Sequence, residues 1–412
     1  MNKDYSVDEY KIAFIICVNN EIYFDECQFY LDRLAIPEGY NIDIIAIREA
    51  DSMCAAYNAG MQSSDAKYKI YMHQDVMIRE IHFLEYIIEL FKQNENVGMI
   101  GMIGGTQMPK TGVTYRAWNV GMLDCRDPDM AYFMAGAKDM PKTDTIVEAV
   151  DGLLMATQYD LPWREDLFTH FDFYDVSQSF EMRKAGYQIL VPYQEIPWVI
   201  HDSGFAKLTF YDEERRKCLK EYPEYLYADG GFEFIYDKEW NELSDVLVGQ
   251  LKKMIEGKQW EQVKLIIESY RQNERKSSGL ETIAIFSDIY QKEKREQVKN
   301  SFFEGYSDYS DIYDKYLRIR FGLRRIELDR PEQENLDLIY AIQKQKISYV
   351  ALMEIIFRSI VDKKIVIKKI EQICYAAGRN KEAERWKKVY QVVNHKTASI
   401  AYSRTDIFTK DQ

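Results

Sequence analysis

The sequence lacks several features that would place it in a familiar class. None of its six cysteines forms a CxxC pair or a zinc-ligand spacing. No apolar run approaches the roughly 18–20 residues that a membrane-spanning helix needs. The first ten residues, MNKDYSVDEY, are polar and acidic, unlike a secretory leader. These absences predict reduced, mostly buried thiols and a cytoplasmic location.

Basic charge is scarce relative to acidic charge. Lys and Arg number 54 against 67 Asp and Glu, which gives a formal net charge of −13. An acidic chain has no general reason to bind nucleic acid or anionic lipid. We therefore expect no nucleic-acid partner, although a metal ion or backbone N–H groups can still bind a phosphate locally.

Common nucleotide and hydrolase motifs are also missing. The glycine-containing stretch GMIGMIGG at 98–105 has the spacing G-x-x-G-x-x-G and follows a predicted helix, so it is not the GxGxxG dinucleotide fingerprint. The sequence has no GxxxxGK(S/T) phosphate loop and no GxSxG elbow. NAD binding is therefore rejected.

What is present in the first half is an alternation of strand and helix patterns. IAFIICV at 12–18 is a continuous apolar run, typical of a buried parallel strand. This alternation predicts a doubly wound α/β sheet, and such sheets bind ligands at the carboxyl ends of their strands. The other predicted elements are strands at 42–47, 69–72, 97–103 and 145–157, helices at 24–34, 51–64 and 81–93, a helix within 175–189 that ends at Gly186 and is followed by a short strand, and an extended segment at 197–201.

After about residue 235 the composition changes to Lys, Glu, Leu and Ile. Trp260, Val263, Ile266, Ile267 and Tyr270 share one helical face, and the stretch at 375–391 reads as a helix–turn–helix pair. We therefore predict two domains, an α/β domain at 1–235 and an all-α domain at 236–412. TPR-like stacking is one arrangement open to the second domain.

Three polar residues end the third predicted strand. His73, Gln74 and Asp75 interrupt the apolar stretch YKIYMHQDVMI at 68–78. A carboxylate at the ligand-binding edge suits a hard divalent cation such as Mg²⁺ or Mn²⁺. The alternative is an aspartate that only ends the strand. His201, which closes the later extended segment, is a second candidate ligand, with a capping histidine as its alternative.

Two aspartates precede the fourth predicted helix. Asp172 and Asp175 lie where helix capping and the helix dipole alone favour a carboxylate. The functional alternative is a general base that faces the ligand cleft. The irregular segment 104–142 reads as an insertion or an active-site loop, and its Trp118 offers either a sugar-stacking platform or a buried anchor.

In this order, the motifs resemble the nucleotide-diphospho-sugar transferases of the GT-A fold, specifically glycosyltransferase family 2. YDVSQSFEMRKAGYQI at 174–189 matches the family wording EDVDLSLRLRKAGYKI without a gap, and HQD at 73–75 stands where the family has its DxD metal motif. AYNAGMQSSDAKYKIYMHQD together with FDFYDVSQS is most similar to the divergent branch typified by the streptomycin-biosynthesis glycosyltransferase-like domain. The resemblance covers roughly residues 10–205.

The resemblance implies inverting transfer of a sugar from a nucleotide-diphosphate donor to an acceptor hydroxyl. Asp175 would deprotonate the acceptor, and Asp75, His201 and His73 would hold a divalent cation, Mg²⁺ or Mn²⁺. The acceptor would be a glycan, a small molecule or a protein, and the helical domain would recruit it or mediate oligomerisation. The implied nucleotide-sugar-binding residues are Asn19, Glu49, Asp51, Gln74 and Asp75.

Departures from the family pattern motivate two other hypotheses. His73 replaces the first Asp of DxD, and Tyr174 and Ser177 replace acidic residues of the helix motif. One alternative is therefore a catalytically impaired GT-A domain that binds a nucleotide or glycan and recruits partners. The other is a different metal enzyme, in which two histidines and one carboxylate bind a transition metal. That alternative requires His73, Asp75 and His201 to converge.

Overall fold

The chain divides into two compact units, Met1–Glu242 and Leu243–Gln412. The structure is a computed structural model. It describes residues 7–114, 117–125, 142–202 and 210–229 of the first unit, and in the second unit scattered positions between 247 and 269, the stretches 309–328, 334–339 and 361–394, and residues 352, 355 and 356. Trp260, Ile267 and Tyr270 of the predicted helical face lie outside these ranges.

Thirteen strands and five helices are described in the first unit. The strands are β1 (Asp8–Val18), β2 (Asn41–Arg48), β3 (Ala66–His73), β4 (Val76–Ile78), β5 (Val97–Gly101), β6 (Ile103–Gly105), β7 (Val120–Gly121), β8 (Asp124–Cys125), β9 (Thr145–Val147), β10 (Ala149–Val150), β11 (Leu154–Thr157), β12 (Gln188–Val191) and β13 (Val199–His201). The helices are α1 (Glu21–Leu31), α2 (Met53–Gln62), α3 (Phe83–Gln93), α4 (Tyr174–Lys184) and α5 (Tyr211–Glu221).

A seven-stranded sheet in the order β2-β1-β3-β11-β5-β12-β9 forms the centre of this unit. Strand β1 pairs in parallel with β2 and β3, whereas β11 lies antiparallel between β3 and β5. The sheet is therefore mixed rather than wholly parallel. Together with the helical C-terminal region, it confirms the predicted α/β GT-A class followed by an all-α region.

Two apolar runs that read as single strands are broken in the structure. The run at 97–103 becomes β5 in the large sheet and β6 in a small sheet with β10 and β7, and the run at 145–157 becomes β9, β10 and β11. Gly104 permits the close crossing, since a Cβ there would lie 2.7 Å from the Ala149 carbonyl oxygen. Apolar periodicity alone could not reveal these breaks, because most of both runs is buried.

The core of the first unit includes strand β1, which lies one strand in from the edge of the large sheet. Residues 12–16 of β1 are fully buried, and helices α1, α2 and α3 contribute apolar side chains to the same core. Trp118 is only 8% exposed, so the buried-anchor interpretation of this side chain is favoured over the sugar platform. No helix that the structure describes is long and apolar enough to cross a bilayer. Among the cysteines whose side chains the structure describes, Cys17, Cys27, Cys54, Cys218 and Cys374 are free thiols.

The second unit is helical wherever its elements are described. The helices whose bounds are described are α6 (Tyr309–Glu327), α7 (Lys363–Ala376) and α8 (Asn380–Asn394). Asp362 caps α7 by accepting hydrogen bonds from the N–H groups of Lys364 and Ile365, and Gly378, with φ of +72°, turns the chain into α8. Helices α7 and α8 pack through buried side chains such as Ile370 and Trp386, which gives the helix–turn–helix predicted at 375–391.

Candidate functional site

The first three strands end together at one edge of the sheet. Val18 pairs with Arg48, and Cys17 pairs with His73, so the chain leaves β1, β2 and β3 at nearly the same height. The polar residues that follow these strands therefore share this edge. They are Asn19 after β1, Glu49 and Asp51 after β2, and Gln74 and Asp75 after β3.

Gln74 ties the end of β3 to the loop that follows β1. Its side-chain oxygen accepts hydrogen bonds from the N–H groups of Asn19 and Asn20, both at 2.9 Å, and its side-chain nitrogen donates to Asn19 Oδ1. Asn20 in turn caps α1 by accepting hydrogen bonds from the N–H groups of Ile22 and Tyr23. The Gln74 side chain thus shapes the loop that presents Asn19.

Glu49 and Asp51 lie exposed on the other side of β1. Glu49 has φ of +57°, a left-handed conformation that is uncommon for a residue other than glycine. Beside it, the exposed Arg48 makes a two-pronged ion pair with Glu21, at 2.7 and 2.9 Å. This part of the edge is open to solvent and carries carboxylates next to a paired guanidinium.

A short second sheet brings His201 to the end of β3. Strand β13 pairs antiparallel with β4, with His201 opposite Val76, and the N–H of Asp202 donates to the Asp75 carbonyl oxygen at 2.9 Å. Since β4 directly follows Asp75, this pairing fixes a distant histidine beside that carboxylate. Chain separation hides this proximity in the sequence.

His73, Asp75 and His201 converge, with one ligand atom from each lying within 4.8 Å of the others. Asp75 Oδ1 lies 3.6 Å from His201 Nε2 and 3.8 Å from His73 Nδ1. Two ligand atoms bound to one ion at about 2.1 Å lie at most about 4.2 Å apart, so both spacings suit a shared cation.

Two atoms of this cluster also lack hydrogen bonds. Asp75 Oδ1 and His201 Nε2 are buried and have no hydrogen-bond partner. A buried polar atom left unpaired costs about 1–3 kcal/mol, and a bound cation would remove that cost. The residues present therefore fit a divalent metal ion.

The electrostatics of the cluster favour the metal-binding protonation states of His73 and Asp75, whereas they favour the charged form of His201. Burial lowers the pKa of His73, and the neighbouring His201 lowers it further. Burial acts to raise the pKa of Asp75, but contact with His201 outweighs it and the net pKa is lowered. The pKa of His201 is raised in spite of burial, because Asp75 lies beside it. An ionised carboxylate and a neutral imidazole are the forms that bind metals.

The second nitrogen of His73 is engaged by Tyr174. His73 Nε2 hydrogen-bonds the Tyr174 hydroxyl, while Nδ1 faces Asp75. The Tyr174 ring is buried and packs near Tyr57 and Trp163, with ring centroids 5.8 and 6.4 Å away. Tyr174, which stands where the family has an acidic residue, therefore contacts His73 of the cluster directly.

Asp175 binds backbone N–H groups and does not occupy the helix cap. Helix α4 begins after Phe173, whose side chain makes no cap hydrogen bond. Asp175 Oδ2 accepts a hydrogen bond from the N–H of Gly152 at 2.9 Å, and Oδ1 accepts one from the N–H of Val176 at 2.8 Å. Neither aspartate is the N-cap residue, although Asp175 lies in the first turn of α4, where the helix dipole favours a carboxylate.

Asp151 is a site residue that sequence reasoning missed. Burial, followed by the nearby charge of Asp151, raises the pKa of Asp175 to about 7. Asp151 also helps to raise the pKa of His201, so its negative charge acts on both Asp175 and His201. Its only signal in the sequence is an Asp-Gly pair that interrupts an apolar run, which by itself reads as a turn.

The segment 151–153 links the cluster to Asp175 through the backbone. The N–H of His73 donates to the Leu153 carbonyl oxygen at 3.0 Å, and the N–H of Gly152 donates to Asp175. A Cβ at Gly152 would collide with the Tyr174 hydroxyl, so this position needs glycine. The cluster and the carboxyl group with a raised pKa therefore flank one three-residue segment.

A second group of potential ligands is an ion-pair network. His170 Nε2 lies 3.9 Å from Glu214 Oε1, and Lys217 Nζ lies 2.8 Å from Glu214 and 3.2 Å from Glu213. The lysine ammonium already supplies positive charge to both carboxylates. We therefore assign no metal to this group.

Comparison with known proteins gives one match by family. A family model described as a glycosyltransferase-like family matches residues 13–222, just over half of the chain. No curated protein sequence matches. Similar solved structures include the mannosyltransferase PcManGT from Pyrobaculum calidifontis in complex with GDP-Man and Mn²⁺, at 12% identity, with 52% of this chain and 64% of that chain covered and a TM-score of 0.32. Another is S. aureus TarS 1-349 in complex with UDP, at 9% identity, with 89% and 92% covered and a TM-score of 0.36.

Proposed function

The chain belongs to the glycosyltransferase-like family, and from that premise we propose that it transfers a sugar from a nucleotide-diphosphate donor to an acceptor hydroxyl. One observation carries the proposal. The cluster around Asp75 and the carboxyl group of Asp175 flank the segment 151–153, at the edge where the parallel strands end. A leaving-group site and a base on either side of one substrate position are what glycosyl transfer requires.

On the donor side, the proposed nucleotide pocket follows the strand ends. Asn19, Glu49 and Asp51 line the base and ribose, and Gln74 holds the loop that carries Asn19. Asp75 is closest to the diphosphate. The proposal is supported by the common height at which β1, β2 and β3 end, because ligands of open α/β sheets bind there.

Asp75, with His201 and His73, holds a divalent cation, Mg²⁺ or Mn²⁺. The chemistry that this ion supplies when bound is positive charge against the departing nucleoside diphosphate. The three side chains would hold the ion beside the donor edge, where β13 pairs with β4. Asp75 Oδ1 and His201 Nε2, which are buried without a hydrogen-bond partner and lie 3.6 Å apart, support this assignment.

Asp175 acts as the general base. It takes the proton of the acceptor hydroxyl while that oxygen forms a bond to the anomeric carbon and the bond from this carbon to the diphosphate oxygen breaks. Attack from the face opposite the leaving group inverts the configuration. A pKa of about 7 suits this role, since a base is most effective when its pKa lies near the working pH.

The pH dependence of transfer follows from the Asp175 carboxyl group. Because the ionised form is the active base, kcat/KM should rise with pH and level off above about pH 7. The variant Asp151→Asn removes the neighbouring negative charge that raises this pKa, so its rising limb should move to lower pH. Initial rates between pH 5 and pH 9 measure both curves.

Asp160→Asn is the matched control for that pH profile. Asp160 is a carboxylate that follows the opposite end of β11 from the segment 151–153; it pairs with Lys69 at 2.9 Å and is not among the groups that shift the pKa of Asp175. Its profile should coincide with the wild-type profile. A wild-type rate independent of pH across this range would contradict Asp175 as the base.

The proposal also covers the branch of the family to which the chain belongs and the class of acceptor. Within the family we place the chain in the streptomycin-biosynthesis-type branch, on the similarity of 56–75 and 171–179. The acceptor is a glycan, a small molecule or a protein side chain. The C-terminal helical domain, with α7 and α8 stacked as in TPR-like repeats, recruits that acceptor or joins copies of the chain.

A further inference from the structure

Two departures from the family pattern are in direct contact. His73 stands in place of the first Asp of DxD, and Tyr174, which lies 101 positions later in the chain, stands in place of a Glu. The Tyr174 hydroxyl hydrogen-bonds His73 Nε2. The two replacements therefore meet at one hydrogen bond.

The contact decides which nitrogen of His73 faces the metal position. Nε2 is engaged by Tyr174, and Nδ1 lies 3.8 Å from Asp75 Oδ1. When Nδ1 is the metal ligand, the ring proton is on Nε2. The Nε2–H group then donates a hydrogen bond to the Tyr174 hydroxyl oxygen. Metal-binding histidines use this arrangement, in which a partner on the second nitrogen fixes the tautomer and the ring orientation.

The surroundings of Tyr174 hold its hydroxyl in place. The residue is 5% exposed, and its ring packs against Tyr57 and Trp163. Gly152 admits the ring, because a Cβ at that position would overlap the hydroxyl. The hydroxyl therefore has little freedom to leave His73, and the imidazole is held in one orientation.

We propose that Tyr174 is a positioning residue that makes His73 a metal ligand, so that this site selects a first-row transition ion over Mg²⁺. The ligand set is then two imidazoles and one carboxylate, His73, His201 and Asp75. Mg²⁺ prefers oxygen ligands and water, whereas imidazole ligands favour transition ions, with affinity rising from Mn²⁺ to Co²⁺. The role of the ion in transfer rests on the proposed function, but the ligand set does not.

Metal binding to the full chain without nucleotide tests this directly. Calorimetric titration with Mg²⁺, Mn²⁺ and Co²⁺ should give affinities that rise in that order, with Co²⁺ bound at least about tenfold more tightly than Mg²⁺. Pulsed electron paramagnetic resonance of the Mn²⁺-loaded protein should detect nitrogen couplings from two imidazoles. Coupling to one imidazole only, or tighter binding of Mg²⁺, would overturn the proposal.

A matched pair of tyrosine variants isolates the hydroxyl. Tyr174→Phe should weaken Mn²⁺ and Co²⁺ binding roughly 10–100-fold, because it removes the partner of the metal-binding imidazole. Tyr57→Phe removes another buried hydroxyl in the same aromatic group, one with no hydrogen-bond partner, and should leave metal affinity unchanged. Equal effects of the two variants would reduce Tyr174 to a packing role and overturn the proposal.

His73→Asp restores the family pattern at the ligand itself. It should shift the preference toward Mg²⁺ and remove one imidazole coupling from the Mn²⁺ spectrum, and an unchanged preference would contradict the role of His73. Failure of the proposed transferase function would give a different result in the binding measurements. A protein that binds Co²⁺ through two imidazoles but binds no nucleoside diphosphate would keep this inference and sink the transferase, whereas Mg²⁺-preferring diphosphate binding would do the reverse.

Discussion

Replacing Asp175 with Asn should lower the rate of sugar transfer roughly 10²–10⁴-fold, the range that a positioned general base contributes. Asn keeps the size of the side chain and can still accept one backbone hydrogen bond, but it cannot take a proton from the acceptor. Asp175 is held by the N–H groups of Gly152 and Val176, so the loss should fall on kcat. Nucleotide affinity should stay near the wild-type value. Initial-rate kinetics with a saturating donor separate the two quantities.

Asp172→Asn provides the matched control. Burial, with the charge of Glu214, also raises the pKa of Asp172 to about 7, and this carboxyl group lies just three residues before Asp175. It does not hydrogen-bond Gly152 and does not flank the segment 151–153. Its replacement should therefore change kcat by only a few-fold. An equal loss in both variants, or full activity of Asp175→Asn, would remove Asp175 from the role of base.

Replacing Asp75 with Asn should abolish the metal dependence of donor binding. Asp75 is the group that both histidines of the cluster face, at 3.6 and 3.8 Å. Changes in the outer-shell partners of metal ligands cost 10–100-fold in affinity, so loss of the central carboxylate should cost at least about 100-fold. The raised pKa of His201 should also fall, because Asp75 causes it. Calorimetric titration with Mn²⁺ and NMR titration of the histidine ring measure the two effects.

Asp124→Asn is the control for Asp75→Asn. Asp124 lies in β8, which pairs with β13 beside His201, and its Oδ2 accepts a hydrogen bond from Arg79 at 3.0 Å, while its Oδ1 is buried without a hydrogen-bond partner. The change removes a buried carboxylate from the same small sheet but leaves the three clustered side chains in place. Metal affinity should stay within a few-fold of the wild-type value. If Asp124→Asn loses the metal as Asp75→Asn does, the effect is structural and the ligand assignment is wrong.

Local sequence patterns were sufficient to predict much of the fold. The apolar runs of β1, β2 and β3 and the apolar spacing of α1 and α3 predicted those strands and helices, because each pattern records burial. The antiparallel insertion of β11 between β3 and β5 was not predictable in this way, since strand direction depends on distant pairings. The break between β5 and β6 was hidden because most residues on both sides of it are buried.

The residues of the candidate site were likewise only partly predictable from the sequence. Asp75 and His201 were identifiable because each ends an apolar strand with a polar residue. The roles of Asp151 and Tyr174 were not, because they depend on contacts across the fold: Asp151 acts through its charge on Asp175, and Tyr174 through its hydroxyl on His73. A tyrosine in place of an acidic residue reads as a loss in the sequence, and only the folded chain brings it to the histidine.

The most direct test of the central claim is calorimetric titration of the full chain with UDP, GDP, CDP and dTDP, with and without Mn²⁺. The account predicts that one diphosphate binds, that Mn²⁺ strengthens its binding, and that Asp75→Asn removes the metal effect. Binding without any metal effect would favour a nucleotide-binding module without transferase activity. If the folded protein bound none of the four diphosphates, with or without Mn²⁺, the donor site proposed at the ends of β1, β2 and β3 would be contradicted.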